Sequence, residues 1–177
     1  MAKEVSNKSS VNYKVVLFWT LIITVTILFA FLFAMRIHDT KIFDSYQDIK
    51  SGRLNLTYDI SSEEGDYYVY IYQAKENSAG KLVDSSKTDI IKANEVLPTV
   101  FNYFNYVRRN ERSSDGVTGF YRIYGYNVKN SKDKVLQELG LELSQLPVLV
   151  KVNDGEVSSP ILKANDIQKE LTGSMKK

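Results

Sequence analysis

The chain begins with one uninterrupted apolar segment and continues with shorter segments in which apolar and polar positions alternate. Residues 15–35, VVLFWTLIITVTILFAFLFAM, carry no charged side chain over 21 positions. At about 1.5 Å per residue, a helix of this length extends roughly 32 Å, enough to cross the hydrocarbon core of a bilayer. The segment is therefore predicted to be a transmembrane anchor helix in contact with membrane lipid, with Trp19 at the interface.

A cleaved signal peptide is the alternative for this segment, because it lies near the N-terminus. The apolar run is longer than the roughly 7 to 15 residues of a signal-peptide core, and no pair of small residues suited to cleavage follows it. The basic tail of residues 1–14 carries Lys3, Lys8 and Lys14 against Glu4. The positive-inside rule predicts a single-pass cell membrane protein with a cytoplasmic N-terminus and an extracytoplasmic C-terminal domain.

Residues 36–53 are predicted to form a juxtamembrane linker that contains a short helix. Within them, Ile42, Tyr46 and Ile49 are spaced four and three apart, as on an amphipathic helix, and Gly52 marks its end. The domain itself is predicted over residues 54–177.

The pattern within this domain predicts an α/β fold with a mixed sheet flanked by helices. Strands are predicted where apolar residues alternate or where aromatic and β-branched residues cluster, and helices where apolar residues recur at three and four. In order, these are strands at 54–60 and 67–73, an exposed loop at 74–87, a helix at 88–110, a strand at 119–128, a helix at 131–139, a strand at 147–152, a returning strand at 156–162, and a final helix.

Prolines and capping residues predict local details of these elements. Pro98 should kink the first long helix, and Pro160 should place the last strand at an edge of the sheet, because proline lacks the N–H that a ladder needs. Asp154 and Gly155 suit a two-residue hairpin turn. Ser131 is the predicted N-cap of the second helix, which stops at Gly140, and Asn165 with Gln168 is spaced as a capping box for the last helix.

This order of elements resembles the thioredoxin fold over residues 54–175. In that family a helix leads into a loop whose proline has a cis peptide bond, followed by an antiparallel hairpin with an edge strand and then a C-terminal helix. The resemblance implies a thioredoxin-like mixed sheet in which Pro147, preceded by Leu146, is the cis-proline. The anchor and the aromatic strand at 67–73 also resemble membrane-bound bacterial members similar to bacteriocin-transport accessory proteins.

The chain contains no cysteine. Thiol nucleophiles, disulfide exchange and cysteine-based zinc sites are therefore excluded. In redox members of that family, a Cys-x-x-Cys motif opens the first helix, and a proline follows the second cysteine by five residues. Counting back from Pro98 puts Ala93 at the position of the second cysteine and Ile90 at that of the first. A register nearer the preceding strand puts them within AKENSAGK, residues 74–81, which also lacks sulfur. The resemblance thus implies a redox-inactive domain that needs no cofactor and is not an enzyme.

Other functional classes receive less support from the residues. The net charge of +2 and the interspersed acidic and basic residues argue against a nucleic-acid partner. The twelve tyrosines lie mostly in predicted strands, so a glycan-binding platform is the weaker interpretation of them. The single histidine, His38, follows the anchor and is interpreted as an interfacial polar residue rather than as part of a catalytic triad.

Acid–base catalysis would require carboxylates whose surroundings separate their pKa values. The candidates lie in polar stretches, where solvated turns are the simpler interpretation. They are Glu63, Glu64, Asp66, Asp84, Asp89 and Glu95.

The leading functional hypothesis is a protein-binding accessory or scaffold subunit of a bacterial cell-envelope complex. Gln145, Leu146 and Pro147 would present an unpaired backbone edge to which an extended partner segment adds as a strand. The alternative is that Pro147 only shapes the loop.

A second hypothesis assigns the interaction to the anchor, as in a small subunit of a membrane transport or secretion assembly. Thr20, Thr24, Ala30 and Ala34 form a face of small and hydroxyl residues that would permit close helix packing. Ordinary lipid-facing composition is the alternative interpretation of that face.

Overall fold

The computed structural model of the chain describes residues 12–39, 42–52, 54–113 and 121–176; within these, the side chains of 33–39 and 111–113 are excepted. The chain divides into two compact units, Met1–Ile42 and Phe43–Lys177. The first contains helix α1, Tyr13–Asp39. The predicted N-terminal apolar helix is thus confirmed.

The apolar part of α1, Tyr13–Leu32, has a mean hydropathy of 2.7 and exposes its side chains. By length and composition it could cross a membrane, although a signal sequence meets the same criterion. The hydroxyls of Thr20, Thr24 and Thr26 each donate to the carbonyl four residues earlier, at 2.8–2.9 Å. Because these hydroxyls are satisfied within the helix, they do not oppose burial of α1 in lipid.

The second unit alternates helices and strands. Its elements are α2 Tyr46–Ser51, β1 Asn55–Leu56, β2 Tyr67–Tyr72, β3 Ala74–Glu76, β4 Leu82–Asp84, α3 Ile90–Ser113, β5 Arg122–Asn127, α4 Lys134–Glu138, β6 Val148–Asn153, β7 Glu156–Val157 and α5 Ala164–Ser174.

Five of the strands form a mixed sheet in the order β1-β5-β2-β6-β7. β1, β5 and β2 are parallel, whereas β6 and β7 run antiparallel to their neighbours. β2 lies in the middle, and all six of its residues are buried. The predicted α/β class with a mixed sheet and flanking helices is confirmed.

The two faces of the sheet differ in composition because successive side chains of a strand point to opposite faces. On the face covered by α2, α3 and α5, which we call the tyrosine face, β2 contributes Tyr68, Tyr70 and Tyr72. On the opposite face, covered by α4 and named here the aliphatic face, β2 contributes Tyr67, Val69 and Ile71. β2 therefore places three hydroxyl groups on the tyrosine face and one on the aliphatic face.

The predicted linker over 36–53 is wrong for its second half, because α2 and the residues before it belong to the core. Phe43, Tyr46 and Ile49 are buried on the tyrosine face. The side-chain amide of Asn105 in α3 accepts from Phe43 N at 2.8 Å and donates to Phe43 O at 2.9 Å, which fixes the chain where it enters the unit. The spacing of Tyr46 and Ile49 predicts the helix but carries no information about this long-range amide contact.

Gly125 in β5 lets α2 approach the sheet. A Cβ at this position would lie 2.5 Å from Ile49 Cγ2 and 3.2 Å from Tyr72 Cε1. Any larger residue at 125 would therefore displace the fully buried Ile49 side chain.

The hairpin of β6 and β7 follows the prediction. Asp154 and Gly155 form its two-residue turn with φ of +46° and +83°, the left-handed region that a type I′ turn requires. β7 lies at the sheet edge as predicted, but it ends at Val157, so Pro160 lies beyond the strand. Next to that proline, Ile161 makes an isolated bridge with Leu149.

The predicted exposed loop over 74–87 is wrong, because it contains the antiparallel hairpin of β3 and β4. Both strands are only three residues long, with Ala74 buried and Leu82 and Asp84 half-buried, and their polar composition hides the strand pattern. Asn127 at the end of β5 accepts from Ala74 N at 3.0 Å and donates to Ala74 O at 3.1 Å. One side-chain amide thus joins the hairpin to the main sheet.

Three local predictions are also wrong. The strand predicted at 54–60 is only two residues long, and Tyr58 is 85% exposed. The N-cap of α4 is Asp133, whose carboxylate accepts from Val135 N, instead of Ser131. α5 begins after Lys163 without a capping box, and the Gln168 amide donates to Glu95 O in α3 at 2.7 Å instead.

The predicted stop of α4 is confirmed, whereas the predicted kink of α3 stays a prediction. Gly140 has a φ of +64° just after α4, as the predicted helix stop requires. Pro98 lies inside α3. The kink that it should cause stays a prediction. Residues 114–120 lie outside the described residues; they cover most of the loop predicted after this helix, at 112–119, and the start of the next predicted strand.

Candidate functional site

The predicted partner-binding residues lie in a loop that packs against the start of α3. Leu143–Gln145 form one turn of 3-10 helix, after which the chain enters β6 through Leu146 and Pro147. Both of these residues are buried, and their peptide bond is cis, as the resemblance implies. We call residues 143–147 the proline loop.

The backbone of the proline loop is already hydrogen-bonded within the chain. Gln145 N donates to Glu142 O at 3.0 Å, and Leu146 N donates to Leu143 O at 3.2 Å. The carbonyl of Leu146 accepts from Asp89 N at 3.0 Å, and the carbonyl of Gln145 accepts from the Lys92 ammonium. Pro147 has no N–H to offer.

The predicted unpaired backbone edge is therefore wrong in this conformation. Strand addition needs free donors and acceptors along an edge, and those of Gln145 and Leu146 have partners. A role of Gln145, Leu146 and Pro147 in partner binding stays a prediction. If they take part, they do so by supporting the neighbouring surface at the start of α3.

The start of α3 exposes apolar side chains. Asp89 caps the helix, because its side chain accepts from Lys92 N at 3.0 Å and its carbonyl accepts from Ala93 N at 2.9 Å. Ile90 is the first residue of α3 and is 44% exposed, and Ile91 is 76% exposed. Ala93, at the other place predicted for a redox cysteine, is fully buried.

Lys92 connects this helix to the proline loop. Partial burial lowers the pKa of its ammonium from the usual value, and the nearby Asp89 carboxylate opposes that shift. Its hydrogen bond to Gln145 O satisfies the buried charge. Ile90 and Ile91 are therefore presented on a helix terminus that two hydrogen bonds hold against the loop.

A cleft of about 440 Å³ lies beside this helix start, between α2, β4 and α3. Its walls are largely apolar, with carboxylate, hydroxyl and amide groups at its base and rim. It is lined by Asp44, Ser45, Tyr46, Leu82, Val83, Asp84, Ile90, Asn94, Leu97 and Phe101. We call it the Tyr46–Asp84 cleft.

The Tyr46–Asp84 cleft contains a half-buried carboxylate. The Tyr46 hydroxyl donates to Asp84 Oδ1 at 2.6 Å. Burial raises the pKa of Asp84 above its usual value, although the hydrogen bond from Tyr46 opposes this, and burial likewise raises the pKa of Tyr46. The predicted solvated surroundings are wrong for Asp84, which lies in a strand and partly out of water.

The remaining candidate carboxylates do not join Asp84. Glu63, Glu64 and Asp66 are exposed, as the solvated-turn interpretation predicts, and Glu95 is exposed on α3. Within the described residues, no three acidic or histidine side chains are grouped so that they could hold a metal ion.

Sequence reasoning missed the Tyr46–Asp84 cleft because its parts come from distant segments. Tyr46 and Asp84 are 38 residues apart, and the first was assigned to a linker and the second to a loop. The one local signal, a short alternation in the hairpin, is hidden by its polar composition. The side chains of Ala34 and His38 lie outside those that the structure describes, so the predictions for them stay open.

Comparisons with known proteins leave the chain without an assigned relative. No family model matches it, and neither a curated protein nor a solved structure matches it.

Proposed function

We propose that the chain is a redox-inactive, membrane-anchored, thioredoxin-like protein that serves as a protein-binding or accessory subunit of a bacterial cell-envelope complex. In this proposal α1 crosses the cell membrane, the N-terminal tail is cytoplasmic, and the unit from Phe43 onward is extracytoplasmic. The charge pattern around the apolar segment supports this orientation.

Several structural features support the thioredoxin-like part of the proposal. A helix leads into a proline loop, the loop enters an antiparallel hairpin whose last strand is at the edge, and a helix follows. Ile90 opens α3, so the place of a redox motif coincides with a helix start beside the proline loop. Because the chain has no cysteine, this surface cannot perform thiol exchange.

The exposed Ile90 and Ile91 are the observation that carries the binding function. Apolar side chains on a charged surface gain free energy when a partner covers them. Their backbone is fixed by the contacts of Asp89 and Lys92 with the proline loop, so little ordering is needed on binding. The region thus offers an apolar contact surface where a redox relative would carry its reactive thiol.

Site-specific photocrosslinking in intact membranes tests this function. A photoreactive phenylalanine analogue is placed at position 91 in the full chain, and a matched control carries it at the exposed Glu138 of α4. We expect position 91 to give a discrete protein adduct that position 138 does not give. The same adducts from both positions, or lipid adducts alone, would contradict the proposal.

A substitution pair checks the same surface without a photoprobe. Ile91→Asp should lower recovery of the adduct partner at least about tenfold, because a charge replaces a residue that the partner would bury. Tyr58→Asp removes an even more exposed apolar residue elsewhere in the unit and should leave recovery unchanged. Equal recovery with the two variants would remove Ile91 from the binding surface.

A further inference from the structure

Asp84 lacks a cationic partner within the described part of the chain. Its side chain accepts one hydrogen bond, from Tyr46, and it takes part in no ion pair among those residues. A carboxylate that is partly removed from water without a counter-charge is unfavourable. The part of the Tyr46–Asp84 cleft around Asp84 is therefore complementary to a cation.

A second polar group, the Tyr70 hydroxyl, lies beside this pair. The Tyr70 side chain is fully buried, and its hydroxyl lies next to the Tyr46 hydroxyl without a hydrogen bond of good geometry. It lies within electrostatic range of both Tyr46 and Asp84. Buried hydroxyls usually have a partner, and for Tyr70 the neighbouring Tyr46 hydroxyl is that group. Asp84 accepts one hydrogen bond, so it is the member of the Tyr46–Asp84–Tyr70 group whose carboxylate keeps unused acceptor capacity.

The walls of the Tyr46–Asp84 cleft suit an aliphatic stem. Leu82, Leu97 and Phe101 are partly buried and line it, and Asp44 adds a second carboxylate to the lining. Lysine and arginine side chains combine a stem of methylene groups with a terminal cation, and they bury the stem along apolar surface.

The larger cavity beside α5, about 780 Å³, does not favour a cationic occupant. It is lined by Lys163 and Lys169 together with Asp166 and Glu170, so its charges are balanced. Nothing about its lining selects one kind of occupant.

We infer that the Tyr46–Asp84 cleft binds a lysine or arginine side chain of the partner protein, with the cation at Asp84 and the stem along Leu82, Leu97 and Phe101. This inference rests on the proposed function, since Ile90 belongs both to the cleft and to the exposed helix start. A partner segment would cover Ile90 and Ile91 with apolar residues and place one basic residue in the cleft.

Two short peptides test the inference with the full chain in lipid nanodiscs. Acetyl-Ile-Lys-Ile-amide offers the ammonium, and acetyl-Ile-norleucine-Ile-amide keeps the stem without it. Methyl resonances of Leu82 and Leu97 report binding. We expect the lysine peptide to shift them saturably and to bind at least about tenfold more tightly than the norleucine peptide. Equal affinities, or no shift with the lysine peptide, would overturn the inference.

Asp84→Asn provides the specific control, because asparagine can still accept the hydrogen bond from Tyr46 but carries no charge. Affinity for the lysine peptide should fall to that of the norleucine peptide in this variant, whereas Asp66→Asn, at an exposed acid outside the cleft, should leave it unchanged. An unchanged affinity in Asp84→Asn would contradict the inference. Asp44 lines the cleft but is exposed, so Asp44→Asn should leave the core folded and weaken binding of the lysine peptide by a smaller factor. If neither Asp84→Asn nor Asp44→Asn weakened binding, the cleft would not require a charged occupant.

The inference and the proposed function fail in different experiments. If the peptides show no charge preference but position 91 still gives its discrete protein adduct, the cleft assignment is wrong and the protein-binding function stands. If position 91 gives no discrete adduct, the protein-binding function itself fails, and the inference fails with it.

Discussion

The tyrosine face and the aliphatic face of the sheet are built from the same strand, yet they bury different chemistry. On the aliphatic face, Val69 and Ile71 lie beside Tyr67 in a mostly aliphatic cluster that includes Leu136 of α4 and residues of β6. On the tyrosine face, aromatic rings stack, and the ring centroids of Tyr46 and Tyr72 are 4.4 Å apart. Their buried hydroxyls need hydrogen-bond partners. The difference shows that one side of β2 supplies packing, whereas the other supplies packing together with polar groups beneath a cleft.

The covering elements follow this division. α4 contributes Val135 and Leu136 to the aliphatic face, and the proposed binding features are absent from it among the described residues. α2, β4 and α3 meet on the tyrosine face, where they enclose the Tyr46–Asp84 cleft. We therefore expect substitutions on the aliphatic face to change stability alone and those at the cleft to separate stability from binding.

Truncation on the aliphatic face should have the largest effect on stability. Ile71→Ala removes a fully buried side chain and should lower the free energy of unfolding by about 2 to 5 kcal/mol, whereas Ile71→Val should lower it by only about 0.5 to 1.5 kcal/mol. Urea unfolding of the full chain in detergent, followed by near-UV circular dichroism, measures both. A loss below about 1 kcal/mol for the alanine variant would contradict the structural role of this face.

Overpacking at the contact of α2 with the sheet should come second. Gly125→Ala places a methyl group against Ile49 and should cost about 1 to 3 kcal/mol. Gly173→Ala in α5 is the matched control, because open space surrounds the added Cβ, and it should stabilise the helix by about 0.5 to 1 kcal/mol. The same unfolding measurement should give opposite signs, and a loss of equal size in both would show that α2 does not pack on β5.

Local sequence patterns predict the helices and strands of this fold better than they predict the contacts between them. The aromatic and β-branched composition of β2, the three-and-four spacing in α3, and the Asp154–Gly155 turn are local signals, and each element lies where they place it. The hairpin of β3 and β4 was missed because both strands are short and only partly buried, so polar composition outweighs alternation.

The candidate site was predicted less well, for a physical reason. The backbone state of the proline loop depends on Asp89 and Lys92, more than fifty residues earlier, and no local pattern shows that they satisfy its carbonyls. The pairing of Tyr46 with Asp84 likewise exists only after α2 and the hairpin pack on the same face. Such contacts are consequences of tertiary structure and are invisible in spacing.

Hydroxyl removal on the tyrosine face should have smaller effects, whose sign depends on the partner. Tyr68→Phe loses hydrogen bonds to Glu170 at 2.7 Å and Ser174 at 2.8 Å, so it should destabilise the chain by about 0.5 to 1.5 kcal/mol. Tyr70→Phe removes a buried hydroxyl whose contact with the Tyr46 hydroxyl has poor hydrogen-bond geometry, so it should leave stability unchanged or raise it by up to about 1 kcal/mol. Thermal unfolding distinguishes the two, and a larger loss in Tyr70→Phe would indicate that its hydroxyl has a partner in solution.

The smallest expected effect is a pair of opposite pH dependences for two aspartates. Burial raises the pKa of Asp84 in the folded chain, so the folded state binds the Asp84 proton more tightly than the unfolded state does. Asp84 therefore lowers stability as the pH rises above the ordinary pKa of an aspartate. The backbone N–H of Ser61, and to a smaller extent its hydroxyl, donate to the exposed Asp59 carboxylate and lower its pKa. Asp59 therefore adds stability above the ordinary pKa of an aspartate, and this contribution is lost as the pH falls.

The two asparagine variants reveal these contributions as differences from the wild type. Relative to wild type, Asp84→Asn should gain stability on going from acid to neutral pH, whereas Asp59→Asn should lose stability over the same range. Unfolding midpoints measured across that range at constant ionic strength test both. Parallel curves for Asp84→Asn and wild type would mean that the Asp84 carboxylate is fully hydrated, and the cleft would then lack the uncompensated charge that makes it complementary to a basic side chain. Divergence in the expected direction would show that the chain keeps a carboxylate in the Tyr46–Asp84 cleft at a cost in stability, as a binding group often requires.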